Sequence, residues 1–153
     1  MAAIQKLVPS DPKPLPPLNF TDAEGKPYDL GAFSGQAVLI NLWATWCAPC
    51  VKEMPALDRA QEVLKAEGWV VLPLSSDRGG KPQVESFYQR TGLKNLGIWL
   101  DPKGECARAV KARGLPTSLV VDREGREVAR LEGEAEWDSP AMLEALRKLV
   151  KGG

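Results

Sequence analysis

Histidine is missing altogether from these 153 residues. Its absence removes Ser-His-Asp and Cys-His nucleophiles, imidazole acid–base catalysis and His-ligated zinc or iron. Net charge is missing too, since 20 Lys and Arg balance 20 Asp and Glu. A surface built to sit on nucleic acid or an anionic membrane carries a basic excess, so neither is expected as a partner. No apolar run approaches the roughly 18 residues that would suggest a bilayer-spanning helix. The start, Met1-Ala2-Ala3-Ile4-Gln5-Lys6, lacks the basic opening and apolar stretch of a signal peptide, so the chain as it stands is expected to be soluble. Three cysteines are too few for a disulfide-stapled scaffold, and the odd number leaves a thiol free if the other two pair. Chemistry here must come from cysteine, carboxylate, lysine, tyrosine or the backbone.

What is present fits one globular domain with a real core, at 44% hydrophobic and 26% charged residues. Pro9, Pro12, Pro14, Pro16 and Pro17 mark residues 1–17 as an extended arm ahead of a domain at 18–153. Short strands around Leu18–Phe20 and Tyr28–Leu30 flank the turn Asp22–Lys26 and predict a hairpin. Ala37–Trp43 is an almost unbroken apolar run, the pattern of a strand buried on both faces. From Pro49 to Glu67 the period becomes helical, with Met54, Leu57, Ala60, Val63 and Leu64 as the buried stripe and Gly68 as the stop. A second buried strand follows at Trp69–Leu74, where Pro73 argues against complete ladder pairing. A helix over Pro82–Arg90, a weak strand over Leu96–Leu100 and a short helix over Ala107–Ala112 come next. Thr117–Val121 and Glu127–Leu131 form a second hairpin through Gly125. Ser139 caps a last helix whose stripe is Leu143, Leu146, Leu149 and Val150. This order predicts an α/β sandwich around a mixed sheet.

The informative segment is Trp46-Cys47-Ala48-Pro49-Cys50, which follows a buried strand and opens a helix. Cysteines three apart at a helix start lie on one side of the first turn, so their sulfurs can meet. Unpartnered N–H groups and the positive dipole end there stabilise a thiolate at Cys47. The expectation is an exposed nucleophile at Cys47 and a buried resolving thiol at Cys50, joined in a disulfide-exchange cycle. Half of a zinc site is the competing reading, but it needs two further ligands, and only Cys106 could offer another thiol. No metal or other cofactor is expected. Cys106 itself reads as a small buried hydrophobe, with a third redox thiol or an intermolecular bridge as the alternative.

These residues resemble the thioredoxin superfamily, and more narrowly its TlpA-like thiol:disulfide interchange proteins, exported reductants of cytochrome and oxidase biogenesis. The stretch Asn41–Cys50 continuing to Glu53-Met54-Pro55 is similar to their active-site segment. Gly114-Leu115-Pro116-Thr117 resembles the loop carrying the superfamily's cis-proline. The hairpin from Phe20 to Phe33 and the segment Gly133–Trp137 resemble the branch's N-terminal addition and its ending. The resemblance spans about Leu18 to Val150. It implies a thioredoxin-like three-layer sandwich with a central mixed sheet and an added N-terminal hairpin. It implies Cys47 as attacking and Cys50 as resolving thiol, and a substrate chain paired with the backbone of Leu115 beside Pro116 and Thr117. Trp46 and Pro49 are expected to border the same partner. The implied substrates are disulfides of other proteins, such as apocytochromes or copper-site proteins, with electrons from a membrane thiol transporter. The implied location is the periplasm or the extracytoplasmic membrane face, although the chain itself leaves the cytoplasm open. A monomer is expected.

One departure stands out. Thioredoxins proper carry a buried Asp where this chain has Asn41, which cannot take a proton. Glu53, about one turn after Cys50, is either the base for Cys50 or a solvated helix carboxylate; as the base it should have a raised pKa. Pro55 should remove a helical hydrogen bond and shape the site. Trp43, Trp69, Trp99 and Trp137 read as packing. No charge stands between the cysteines, which favours a reductant over a strong oxidant such as DsbA. Two rivals compete: a peroxiredoxin-type peroxidase, whose Pro-x-x-x-Thr-x-x-Cys pattern is missing because Ala44 stands in place of the Thr and no Pro stands where the pattern needs one, and a copper chaperone, which would want a different cysteine spacing and a His.

Overall fold

Ala37–Trp43 is buried at every position, and the chain is arranged around it. The computed structural model describes residues 6–151; the N-terminal reading of Met1–Gln5 lies outside them. The strands are β1 (Leu7–Pro14), β2 (Asn19–Asp22), β3 (Pro27–Asp29), β4 (Ala37–Trp43), β5 (Trp69–Ser75), β6 (Trp99–Leu100), β7 (Thr117–Val121) and β8 (Arg126–Glu132). The helices are α1 (Ala48–Leu64), α2 (Lys81–Thr91), α3 (Glu105–Ala109) and α4 (Pro140–Val150), with short 3-10 turns at Leu30–Phe33 and Lys65–Glu67. One mixed sheet runs in the order β1-β8-β7-β4-β5-β6-β2-β3, with β4 parallel to β5 and antiparallel to β7.

Alternation along β4 divides the core. Ala37, Leu39 and Trp43 face the layer of α1, α2 and α4, and Val38, Ile40 and Leu42 face the layer of α3 and the β2–β3 hairpin. This is the three-layer α/β sandwich expected from the sequence, with the added hairpin at the β6 edge. Phe20, Tyr28, Phe33 and Trp99 pack ring against ring to seat that hairpin, with centroids 4.9–6.5 Å apart.

Several expectations are corrected. The Pro-rich arm is extended, but Leu7–Pro14 is the outermost strand of the sheet, antiparallel to β8, rather than an arm outside the domain. Proline is tolerated on an edge, where a missing N–H faces away from the ladder, and a register shift between Pro9 and Lys13 absorbs the rest. Val63 is 44% exposed rather than part of the α1 stripe. Gln61 is buried instead, because its amide bonds Trp69 O and Val71 N and ties α1 to β5. The β4–β5 register runs unbroken through Asn41 and Pro73. Strand β6 is shorter than predicted because the N–H groups of Lys94, Asn95 and Leu96 turn to the Asp58 carboxylate instead of a neighbouring strand. Helix α3 starts earlier than predicted because Asp101 accepts from Glu105 N and Cys106 N.

Candidate active site

Helix α1 begins where β4 ends, so its first turn stands at the carboxyl edge of the parallel pair. Cys47 is the N-cap residue, with extended backbone, and its Sγ accepts from Cys50 N at 3.4 Å. That N–H would otherwise lack an intrahelical partner, and a sulfur placed there is stabilised as a thiolate. Cys47 and Cys50 form a disulfide with their Cα atoms 5.3 Å apart, well within the span such a bond allows. Cys50 is fully buried. Cys47 is only 7% exposed, so the expected exposed nucleophile is nearly covered in this oxidised form. The exposed group is Trp46, at 68%, with Ala48 and Pro49 beside it at the surface.

The second wall is the loop before β7. The Leu115–Pro116 bond is cis, as the resemblance implied. Thr117 pairs in register with Leu42 of β4, which brings this loop to the sheet end that carries Cys47. Thr117 Oγ1 donates to Gly114 O and Gly133 N to Pro116 O. Arg113 clasps Glu132 through two bonds across the same loop.

Beneath the cysteines lies Glu53. The solvated alternative is set aside, because this residue is 3% exposed. Oε1 accepts from Trp137 Nε1 at 2.6 Å and Ala135 N at 3.2 Å, and Oε2 accepts from Asn41 Nδ2 at 3.1 Å. Burial pushes its pKa from 4.5 to about 7, against the downward pull of Trp137, Asn41 and Ala135, with Glu134 adding to the rise. An open groove of about 800 Å³ between α1 and residues 134–140 reaches Glu53 from solvent, past Lys52, Arg59 and Asp138.

Sequence reasoning missed most of this support. Trp137, expected as plain packing, donates its indole N–H to Glu53. Asp77, which follows the predicted strand Trp69–Leu74, is fully buried. Its carboxylate accepts from Thr45 N, Thr45 Oγ1 and Ser75 Oγ, and Gln83 Nε2 adds a bond to Thr45 Oγ1. Asp77 thus holds the turn that presents Trp46 and Cys47. The available signal was an Asp just beyond a buried strand, since so short a carboxylate readily bonds nearby backbone N–H groups. Pro55 lies inside α1, as expected.

Cys106 is 2% exposed, and burial pushes its thiol up to about 12, with the Asp101 carboxylate adding to the rise. A thiol so rarely ionised reacts slowly. Under native conditions the oxidised protein should take up almost no alkylating reagent. Denaturation without reductant should release one reactive thiol per chain, counted by mass.

A model of the Redoxin family matches residues 11–146. Thiol-disulfide oxidoreductase ResA of Bacillus thuringiensis subsp. konkukian (strain 97-27) is 34% identical over 122 residues, covering 80% of this chain and 69% of that protein. Among solved structures, a putative thiol:disulfide interchange protein DsbE from Chlorobium tepidum superposes with a TM-score of 0.76 at 26% identity, covering 92% of this chain and 94% of that one. The pneumococcal exposed lipoprotein thioredoxin Etrx1, from Streptococcus pneumoniae strain TIGR4, gives 0.70 at 28% identity, covering 87% and 99%.

Proposed function

The chain belongs to the Redoxin family and is a thiol–disulfide oxidoreductase, and on that premise we propose that it is a reductant of protein disulfides, working outside the cytoplasm. In the proposed cycle the Cys47 thiolate attacks one sulfur of a substrate disulfide. The Cys47–substrate bond forms as the substrate S–S bond breaks, and the first substrate sulfur leaves as a thiolate. Cys50 then gives its proton to Glu53 and attacks Cys47. The Cys47–Cys50 bond forms, the second substrate thiol leaves, and two electrons have passed to the substrate. Trp46, Pro49 and the Leu115–Pro116–Thr117 loop border the approaching chain, with the backbone of Leu115 free to pair with it.

The observation that carries the direction is the buried Glu53 carboxyl one turn below Cys50. A strong oxidant owes its potential to a stabilised reduced thiolate. Negative charge at Glu53 opposes that thiolate, and neither Ala48 nor Pro49 compensates it. Equilibration with a glutathione buffer tests the reading: the potential should lie nearer thioredoxin's value of about −270 mV than DsbA's of about −120 mV. A couple as oxidising as DsbA would overturn it.

The extracytoplasmic setting is supported by the likeness to an exposed lipoprotein thioredoxin and by the resemblance to TlpA-like reductants. By that resemblance the substrates would include apocytochrome or copper-site disulfides, the electron source a membrane thiol transporter, and the working form a monomer. No helix among the described residues is long and apolar enough to cross a membrane.

A further inference from the structure

The cage around Glu53 is made of donors: Trp137 Nε1, Ala135 N and Asn41 Nδ2. Such a cage suits a carboxylate. A carboxylic acid has an O–H that must find an acceptor, and Trp137 and the Ala135 amide cannot provide one. Asn41 can. It is fully buried on β4, both its N–H groups are used, toward Glu53 Oε2 and Ser118 Oγ at 3.0 Å, and its Oδ1 has no hydrogen-bond partner. A buried amide oxygen without a partner is uncommon and asks for an account.

We propose that the Asn41 side-chain amide makes a half turn when Glu53 takes up the proton of Cys50, so that Oδ1 replaces Nδ2 between Glu53 and Ser118. The step involves a proton and no electrons. The proton leaves the Cys50 sulfur and forms an O–H at Glu53 Oε2. That O–H donates to Asn41 Oδ1, and the Ser118 hydroxyl changes from acceptor to donor. Two hydrogen bonds break and two form. The far side of the amide, where Oδ1 now lies, has no bond to lose, but it receives the NH2 group, whose two donors give up Glu53 and Ser118. The O–H bond from protonated Glu53 must offset that cost, so the turn reverses when the proton leaves. The terminal torsion of Asn is broad, so the turn meets little intrinsic resistance. Asn41 is a positioning residue: it acts through Glu53 and lets a buried carboxyl hold a proton while still hydrogen-bonded. An Asp at this position would compete for the proton instead. The other charged groups facing the site are Glu134, paired with Lys52 at 3.7 Å, and Lys6, Arg59, Glu136 and Asp138 along the groove; the cysteine pair on α1 is the remaining titratable neighbour.

The proposal rests on Glu53 being the proton acceptor, and one experiment separates the two. The Asn41 side-chain amide resonances of the full oxidised chain are followed by NMR from well below to well above neutral pH, beside the Glu53 carboxyl carbon. Both Asn41 amide protons should shift with the same midpoint as Glu53. In Glu53→Gln, whose amide donates permanently to Oδ1, they should stay at their low-pH positions throughout. Asn41 signals that stay fixed while Glu53 titrates, or that shift equally in Glu53→Gln, overturn the rotation. If they stay fixed and Glu53→Gln still slows product release, the acceptor role of Glu53 survives and only the rotation is lost.

Discussion

A Cys50→Ser variant should stop halfway, accumulating as a mixed disulfide through Cys47. The reason is positional. Cys47 is the N-cap of α1, with its sulfur aimed at a free helical N–H, so it retains what an attacking thiolate needs when Cys50 is changed. The serine hydroxyl left at position 50 is fully buried and far too weakly acidic to expel Cys47 from the substrate. Turnover on a disulfide-bridged peptide should fall by roughly 10⁴-fold or more, the scale seen when one member of a covalent catalytic unit is removed. Mass spectrometry should find one peptide per chain, attached at Cys47 and released by dithiothreitol. Cys47→Ser should lose the same activity without forming the adduct, because Cys50 is buried behind it. If Cys50→Ser turns over at the parental rate, or if the adduct forms equally in Cys47→Ser, the assigned order of attack is wrong.

The layout of this site was legible in the sequence to the extent that local pattern governs it. The apolar run of β4 and the helical period after Pro49 fixed where the cysteines would stand, since a strand buried on both faces and a helix with one apolar stripe have distinct periods. Gly114-Leu115-Pro116-Thr117 marked the facing loop through resemblance. What stayed hidden were contacts between segments far apart in the chain. Glu53 could be a base or a solvated side chain as long as nothing said what covered it. The covering comes from Ala135 and Trp137, more than eighty residues later, and from Asn41 on the strand below. Asp77 shows the same limit, because its partner Thr45 lies on another segment, 32 residues earlier. The proline-rich arm fails differently: its composition correctly signals extended backbone, but extended backbone serves equally as a tether or as an edge strand. Only the partner β8, with Glu127 bonded to Arg130 and near Lys13, decides between them.

The Glu53→Gln variant should change two pH-dependent properties in opposite directions, raising relative stability and lowering turnover. In the folded oxidised chain the carboxyl titrates near a pKa of about 7, against 4.5 when exposed. Between those values the folded state holds a proton that the unfolded state has already lost. The stability gained from that proton is complete below the lower value and disappears as pH rises through the upper one, so ionisation of Glu53 works against the fold. A gap of that size corresponds to about 3 kcal/mol. Other carboxylates, such as Glu67 and Glu132 beside their arginines, slope the opposite way, so the quantity to measure is the difference between variant and parent. In urea titrations, Glu53→Gln should gain relative to the parent by up to about 3 kcal/mol as pH moves from acid to mildly alkaline. Turnover should change in the other direction. Gln accepts no proton, so release of product by Cys50 should slow about 10²-fold or more near neutral pH, the scale of a lost general base. The deficit should close at high pH, where Cys50 ionises unaided. A relative stability that is flat with pH would mean Glu53 is not strained by burial, and a deficit that persists at high pH would mean it does not act on the Cys50 proton. The two results together explain why a fold would keep a carboxyl in so unfavourable a place: the free energy that ionised Glu53 withdraws from stability is what keeps it ready to take a proton from its neighbour.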